Sequence, residues 1–196
     1  MSYIEEVRYV CGDRPDVVDA FEKVNRKLFL PRSYRRYADN DMPLPIGYGQ
    51  TTSQPSLIAD MICRADIKRG DKVLEVGTGT GFAAAIMATI GADVYTVEKV
   101  PELYQIAKEN LSSFDNVHVY LAGDILGLPE HAPFDKIVVF AHAEDIPVQL
   151  LEQLRVGGVM IIPVGDERIQ HLLRIEKTSD GDRVETLYPV RFVPLR

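Results

Sequence analysis

The sequence predicts an α/β fold: a mostly parallel sheet with helices on both faces and an antiparallel C-terminal edge. Three observations carry this. Strand-like and helix-like segments alternate from Lys72 to Val164, the pattern that builds a parallel sheet covered by helices. Ile137-Val138-Val139-Phe140 is continuously apolar, as a strand buried on both faces must be. A glycine-rich turn, Gly77-Thr78-Gly79-Thr80-Gly81, joins the first of these strands directly to the helix that follows it.

The first seventy residues differ in kind. Val17, Phe21, Val24 and Leu28 fall at helical spacing. The stretch from Arg32 to Pro55, with Pro43, Pro45, Gly47 and Gly49, reads as a long loop. Its tyrosines and apolar residues argue against disorder, so it is a candidate substrate loop. Lys72–Val76 is the first strand of the alternating region, and the alanine-rich segment from Phe82 to Ile90 is its helix, closed by Gly91. Val94–Glu98 is the second strand, and Pro101 opens a helix with Leu103, Ile106, Ala107 and Leu111 on one face. Val117–Leu121 and Ile137–Phe140 follow as strands, then a short helix from Pro147 to Leu154. After Gly157-Gly158 comes a fifth strand, Val159–Val164. His171–Lys177 and Arg183–Val193 alternate about the turn Ser179-Asp180-Gly181 and predict an antiparallel pair at the sheet edge. The chain is read as one domain, with residues 1–70 a helical and substrate-loop region, 71–165 a cofactor-binding core and 166–196 C-terminal strands.

Composition narrows the class. The 196 residues are 46% hydrophobic and 26% charged, which suits a packed globular domain and excludes disordered and fibrous classes. With 22 Lys plus Arg against 29 Asp plus Glu, the net charge of −7 is unfavourable for duplex nucleic acid, whose phosphates need cations. The longest apolar runs fall short of the ~20 residues of a membrane span. The N-terminus carries acids where a secretory signal carries positive charge, so a cytoplasmic protein is expected. A monomer is also expected. Cys11 and Cys63 lie far apart with no Cys-x-x-Cys pair, which predicts a reducing compartment and no disulfide framework. His118, His131 and His171 show no metal-ligand spacing, and no metal is expected.

The candidate site gathers at the strand ends. A dinucleotide fingerprint would place Gly or Ala at position 82, where this chain has Phe82. Glu75 would oppose a pyrophosphate but suits a ligand carrying an amine, which favours S-adenosylmethionine. Glu98 ends the second strand about 20 residues after the glycines, where an acid can accept hydrogen bonds from ribose hydroxyls. Asp124 follows the third strand and is placed to receive an adenine amino group. Each acid has a plainer reading as a solvated or helix-capping side chain. Together with Gly77, Thr78, Gly79 and Gly81 they point to a nucleoside-bearing ligand.

The stretch from Asp41 to Pro55, Asp-Met-Pro-Leu-Pro-Ile-Gly-Tyr-Gly-Gln-Thr-Thr-Ser-Gln-Pro, resembles the signature of the protein-L-isoaspartate (D-aspartate) O-methyltransferase family. Glu75–Gly81, Pro133-Phe134-Asp135, Ile146-Pro147, Gln153-Leu154, Gly157-Gly158, Pro163-Val164-Gly165 and Phe192-Val193-Pro194-Leu195 resemble it in order and spacing, so the similarity spans most of the chain. The resemblance implies a Rossmann-like class I S-adenosylmethionine-dependent methyltransferase. It implies transfer of a methyl group to the carboxylate of L-isoaspartyl residues in damaged proteins and peptides, with S-adenosylhomocysteine as the product. It makes Ser53 the active-site residue, with Ile46, Thr51, Thr52 and Val193 at the substrate. Without it, Ser53 reads as organising the turn before Pro55 and capping a helix that begins near Ser56.

No catalytic dyad is required, because a carboxylate is already ionised near neutral pH and a sulfonium is an activated donor. Three positions depart from the family pattern: Thr52 for Ile or Val, Ile125 for Gly after Asp124, and His142 for a small residue. They keep open a methyltransferase of the same fold acting on RNA or a small molecule. A non-catalytic nucleoside-binding protein is a third reading, against which the Ser53 loop stands.

Overall fold

A computed structural model describes residues 2–195. Helix α1 (Tyr3–Cys11) starts from a Ser2 cap and α2 (Pro15–Lys23) starts at a proline that fits the first helical turn. The periodicity from Val17 to Leu28 overran this helix. The chain leaves α2 at Val24 and makes a short 3-10 turn over Arg26–Phe29, so Leu28 is exposed. The stretch expected to be loop holds a second 3-10 turn, Arg32–Tyr37, and a small antiparallel hairpin of β1 (Leu44–Gly47) and β2 (Gln50–Thr52). Helix α3 (Pro55–Arg64) follows, and the alternating region is β3 (Lys72–Val76), α4 (Phe82–Ile90), β4 (Asp93–Glu98), α5 (Pro101–Asn110), β5 (Val117–Leu121), β6 (Phe134–Val139), α6 (Val148–Gln153) and β7 (Leu154–Gly165). β8 (Gln170–Thr178) and β9 (Gly181–Val190) close it.

These last seven strands form one sheet in the order β5-β4-β3-β6-β7-β8-β9, parallel from β5 to β7 and antiparallel beyond. The chain begins in the middle at β3, runs out to β5, and returns to β6 on the other side. The reversal opens a crevice at the carboxyl ends of the central strands. Val73, Val94, Val138 and Ile161 face one way and pack with buried residues of α1 to α5. Leu74, Val76, Ile137, Val139 and Met160 face the other way and are covered by Leu150 of α6, by the loop after β5 and by Leu195. The two faces are therefore unequally clothed, five helices against one short helix.

The N-terminal helices bring a correction. Packing of α1 on α3 sets Cys11 and Cys63 with Cα atoms 6.4 Å apart, and the two are disulfide-bonded across a sequence separation of 52. Spacing along the chain carries no sign of this, because only the helix pairing makes the cysteines neighbours. The bond encloses the whole hairpin segment, and closing a loop of that length restricts the unfolded chain. Reduction, or Cys63→Ser, is expected to lower unfolding stability by about 2–4 kcal/mol. Denaturant titration of oxidised and reduced protein checks this, and coincident midpoints would show that the bond contributes nothing.

Candidate active site

The hairpin is set over the sheet by a buried cation. Arg26, 2% exposed, donates to the carbonyls of Ala38 (3.3 Å), Asn40 (2.8 Å) and Met42 (2.8 Å). Its guanidinium lies 5.9 Å from the ring centre of Tyr3 and 5.8 Å from that of Phe82. Burial pulls its pKa down to about 10, so it stays charged at neutral pH. With its carbonyls held, Asp41 turns toward α3. Its carboxylate accepts from the Ser56 amide (2.8 Å) and the Ser56 hydroxyl (2.6 Å), and the Gln54 amide group donates to Ser56 Oγ (3.0 Å). Asp41, not Ser53, caps α3, which leaves the Ser53 side chain to the cavity it lines.

The glycine loop lies under the hairpin. Gly77, Gly79 and Gly81 all have positive φ, at 96°, 58° and 98°. A methyl group on Gly81 would come within 2.7 Å of Leu111, and one on Gly79 within 3.2 Å of Ile46 Cδ1. The second distance shows how closely the Ile46 side chain covers the loop. Phe82, where a dinucleotide fold wants a small residue, fills the core against Phe21 and Phe29, with ring centres 6.0 and 5.7 Å away.

Beneath the loop runs a buried polar chain. Thr96 donates to Glu75 (2.6 Å), and the Thr96 and Thr78 hydroxyls are 2.5 Å apart. Glu75 is fully buried, and its second oxygen has no partner. Burial, opposed by the Thr96 hydrogen bond and aided by the charge of Glu98, pushes its pKa up to about 8. Glu75 therefore sits behind the cavity wall and not on it. Glu98 accepts from the amides of Gly79 (2.8 Å) and Val100 (2.9 Å), ties β4 to the glycine loop and still faces the cavity.

The cavity itself, about 690 Å³, occupies the crevice at the strand ends. Gly77, Thr78, Gly79, Glu98, Asp124, Ile46, Thr51, Thr52, Ser53 and Val193 all line it, so one space gathers most of the residues singled out in the sequence. Glu75 and Gly81 shape it from behind. Ile125 stands at the rim, 60% exposed. His142 is buried and binds the C-terminal segment: its amide donates to Val193 O (2.9 Å), its carbonyl accepts from Leu195 (2.8 Å), and Nδ1 lies 3.1 Å from Gly165 O. It positions Val193. Sequence reasoning missed Arg26, Thr96 and Ser56, whose partners are distant in the chain. Asp41 carried a signal, since it opens the signature stretch.

The residues fit a cationic nucleoside ligand. Two buried oxygens, Glu75 Oε2 and Thr80 Oγ1, lack partners within the protein at the glycine loop. Acids end β4 and follow β5, where hydroxyl and amino donors of such a ligand would lie. Residues 2–196 match the family model described as protein-L-isoaspartate (D-aspartate) O-methyltransferase. The chain belongs to this family. Proteins named protein-L-isoaspartate O-methyltransferase from Ignicoccus hospitalis (48% identical over 93% of this chain and 89% of the relative) and Archaeoglobus fulgidus (the second of two, 47% over 98% and 90%) are similar along nearly their whole length. A solved protein-L-isoaspartate O-methyltransferase superposes with a TM-score of 0.89 at 28% identity, covering 98% of this chain and 66% of that one. The fold also matches a Plasmodium falciparum structure described as a complex of such an enzyme with S-adenosylhomocysteine (TM-score 0.83, 24% identity, 100% and 99% covered). In this family member burial holds Glu75 toward its protonated form.

A carboxyl with a raised folded pKa stabilises the folded state most below its unfolded value of 4.5 and loses that contribution as pH rises toward 8. Glu75→Gln is therefore expected to stabilise the cofactor-free protein relative to the unsubstituted one at pH 8 but not at pH 4.5, by at most about 5 kcal/mol. Thermal unfolding at both pH values checks the sign. An equal difference at both would mean that Glu75 does not titrate in this range.

Proposed function

We propose that the 690 Å³ cavity is where a methyl group passes from S-adenosylmethionine to the carboxylate of an L-isoaspartyl residue in a protein or peptide, with Ser53 as the residue that holds the acceptor. The observation that carries this reading is that one cavity joins the glycine loop and strand-end acids to the Ser53 hairpin. S-adenosylmethionine supplies an activated methyl on a sulfonium and leaves as S-adenosylhomocysteine.

The roles of the chain's own residues follow. Gly77, Thr78 and Gly79 give the ligand close access to the backbone, with Gly81 starting α4 behind them. Glu98 and Asp124 accept hydrogen bonds from ribose and adenine donors, and Glu75 supplies negative charge beneath Thr78 for the amino-acid part. Ser53 donates to the acceptor carboxylate and fixes one oxygen for in-line attack, while Thr51, Thr52, Ile46 and Val193 orient the peptide. The carboxylate needs no base, because it is ionised at neutral pH. Ile46 lies over the glycine loop and keeps water from the reacting centre. We read the protein as a cytoplasmic monomer that acts on isoaspartyl chains without nucleic acid or membrane. The net charge of −7 supports this, and among the described residues no helix is long and apolar enough to cross a membrane.

The test is transfer of labelled methyl to matched isoaspartyl and aspartyl peptides, with Ser53→Ala in parallel. Transfer to the isoaspartyl peptide alone is expected. Loss of one hydrogen bond to a charged group, about 1.5–3 kcal/mol, should cut kcat/KM by roughly ten- to a hundredfold in the variant. Equal transfer to both peptides would overturn the specificity, and no transfer with cofactor still bound would move the substrate to RNA or a small molecule.

A further inference from the structure

A second cavity of about 340 Å³ opens beside the first, and Thr51, Ser53, Phe140 and Val193 line both. Its volume lies at the lower end of the ~300–1,000 Å³ range of ligand pockets. Its other walls carry apolar side chains, Pro43 before the hairpin, Leu57 on α3, and Tyr188, Pro189 and Phe192 at the end of the chain, with Gln54 and Arg191 as the polar ones.

The β9 wall is anchored. Tyr188 donates its hydroxyl to Asp60, Arg64 binds the same Asp60 oxygen at 2.8 Å, and the Arg64 guanidinium lies 5.6 Å from the Tyr188 ring centre. Burial and Asp60 both hold the Tyr188 proton in place, so the phenol presents its ring and not a charge. Nothing in the transfer chemistry above uses Tyr188, Leu57 or Pro43.

We infer that this second cavity is a subsite for the side chain of one residue flanking the isoaspartyl residue, and that it selects apolar and aromatic side chains. The inference rests on the first cavity being the transfer site. Because Ser53 belongs to both spaces, a carboxylate held at Ser53 leaves the peptide at the threshold of the second. An extended chain advances about 3.3 Å per residue, so the adjoining residue reaches it. Pro43, Leu57 and Phe192 remove an apolar side chain from water, whereas a carboxylate set against them would lose hydration that these three side chains do not replace. Arg191, the one cation on the lining, is exposed at the rim. With this cavity taking one neighbour, the subsite reads one flank and not the other.

The experiment uses the full chain and short isoaspartyl peptides with glycine on both sides, then with Leu, Phe or Glu replacing the glycine on each side in turn. Leu or Phe on one side only is expected to lower KM about tenfold with kcat little changed. Leu57→Trp, which fills the cavity, should bring the ratio of KM values for the Gly and Phe peptides toward one. Pro189→Trp, on the exposed side of the cavity, tests the same point should the first variant fold poorly. Equal KM across the series would overturn the subsite while leaving the transfer site standing. So would a preference for Glu that Arg191→Ala abolishes. If no isoaspartyl peptide is methylated, the glycine-flanked one included, the transfer site falls and the subsite with it.

Discussion

The reversal of strand order at β3 is the constraint from which the site follows. A parallel strand buried on both faces has nothing to offer a ligand along its length, so binding can occur only where it ends. At β3 the next connections diverge, α4 toward β4 on one side and the later chain toward β6 on the other. Their divergence leaves an opening that no side chain of the sheet can fill. The three left-handed glycines keep it open from below. The Gly79–Glu98 hydrogen bond links β3 to β4 across it, so the loop and the acid that would face a ribose are held as one unit.

A lid over that opening has to come from outside the sheet, and here the buried Arg26 matters. Three carbonyls converging on one guanidinium cannot all turn to solvent, so the segment from Ala38 to Met42 has one shape. Asp41 transmits that shape to α3 through Ser56, and the residues between, including Ser53, are fixed at both ends. The hydrogen bonds and the enclosing disulfide act on the same segment by different means: one stabilises the folded loop, the other restricts the unfolded one.

The alternating segments were legible because each obeys a local rule. Continuous apolarity marked β6, glycine closure marked the end of α4, and both were located to within three residues. The N-terminal third was less legible. Arg26 lies within an apolar helical spacing, yet its fully polar role depends on carbonyls twelve to sixteen residues away. Helix α1 went unread, since Tyr3, Val7 and Cys11 form a narrow apolar stripe among charges. The disulfide had no local signal. Glu75 was read as an acid at the glycine loop, but its place behind the wall depends on Thr96 in the neighbouring strand.

That placement bears on how a site with so many acids holds together before any ligand arrives. Glu75 and Glu98 lie close enough for the charge of Glu98 to raise the Glu75 pKa, and two ionised carboxylates there would repel in a low-dielectric setting. The structure divides them. Glu98 takes two backbone amides and carries its charge at the cavity surface, while Glu75, deeper and with a single hydroxyl partner, is held toward its protonated form. A cationic ligand in the cavity shifts that balance, because positive charge nearby favours the ionised Glu75 and uncharged surroundings do not. The buried acid is thus kept off the cavity surface at the expense of its charge, and a positive group held in the cavity would have to draw the proton from it before that charge is available.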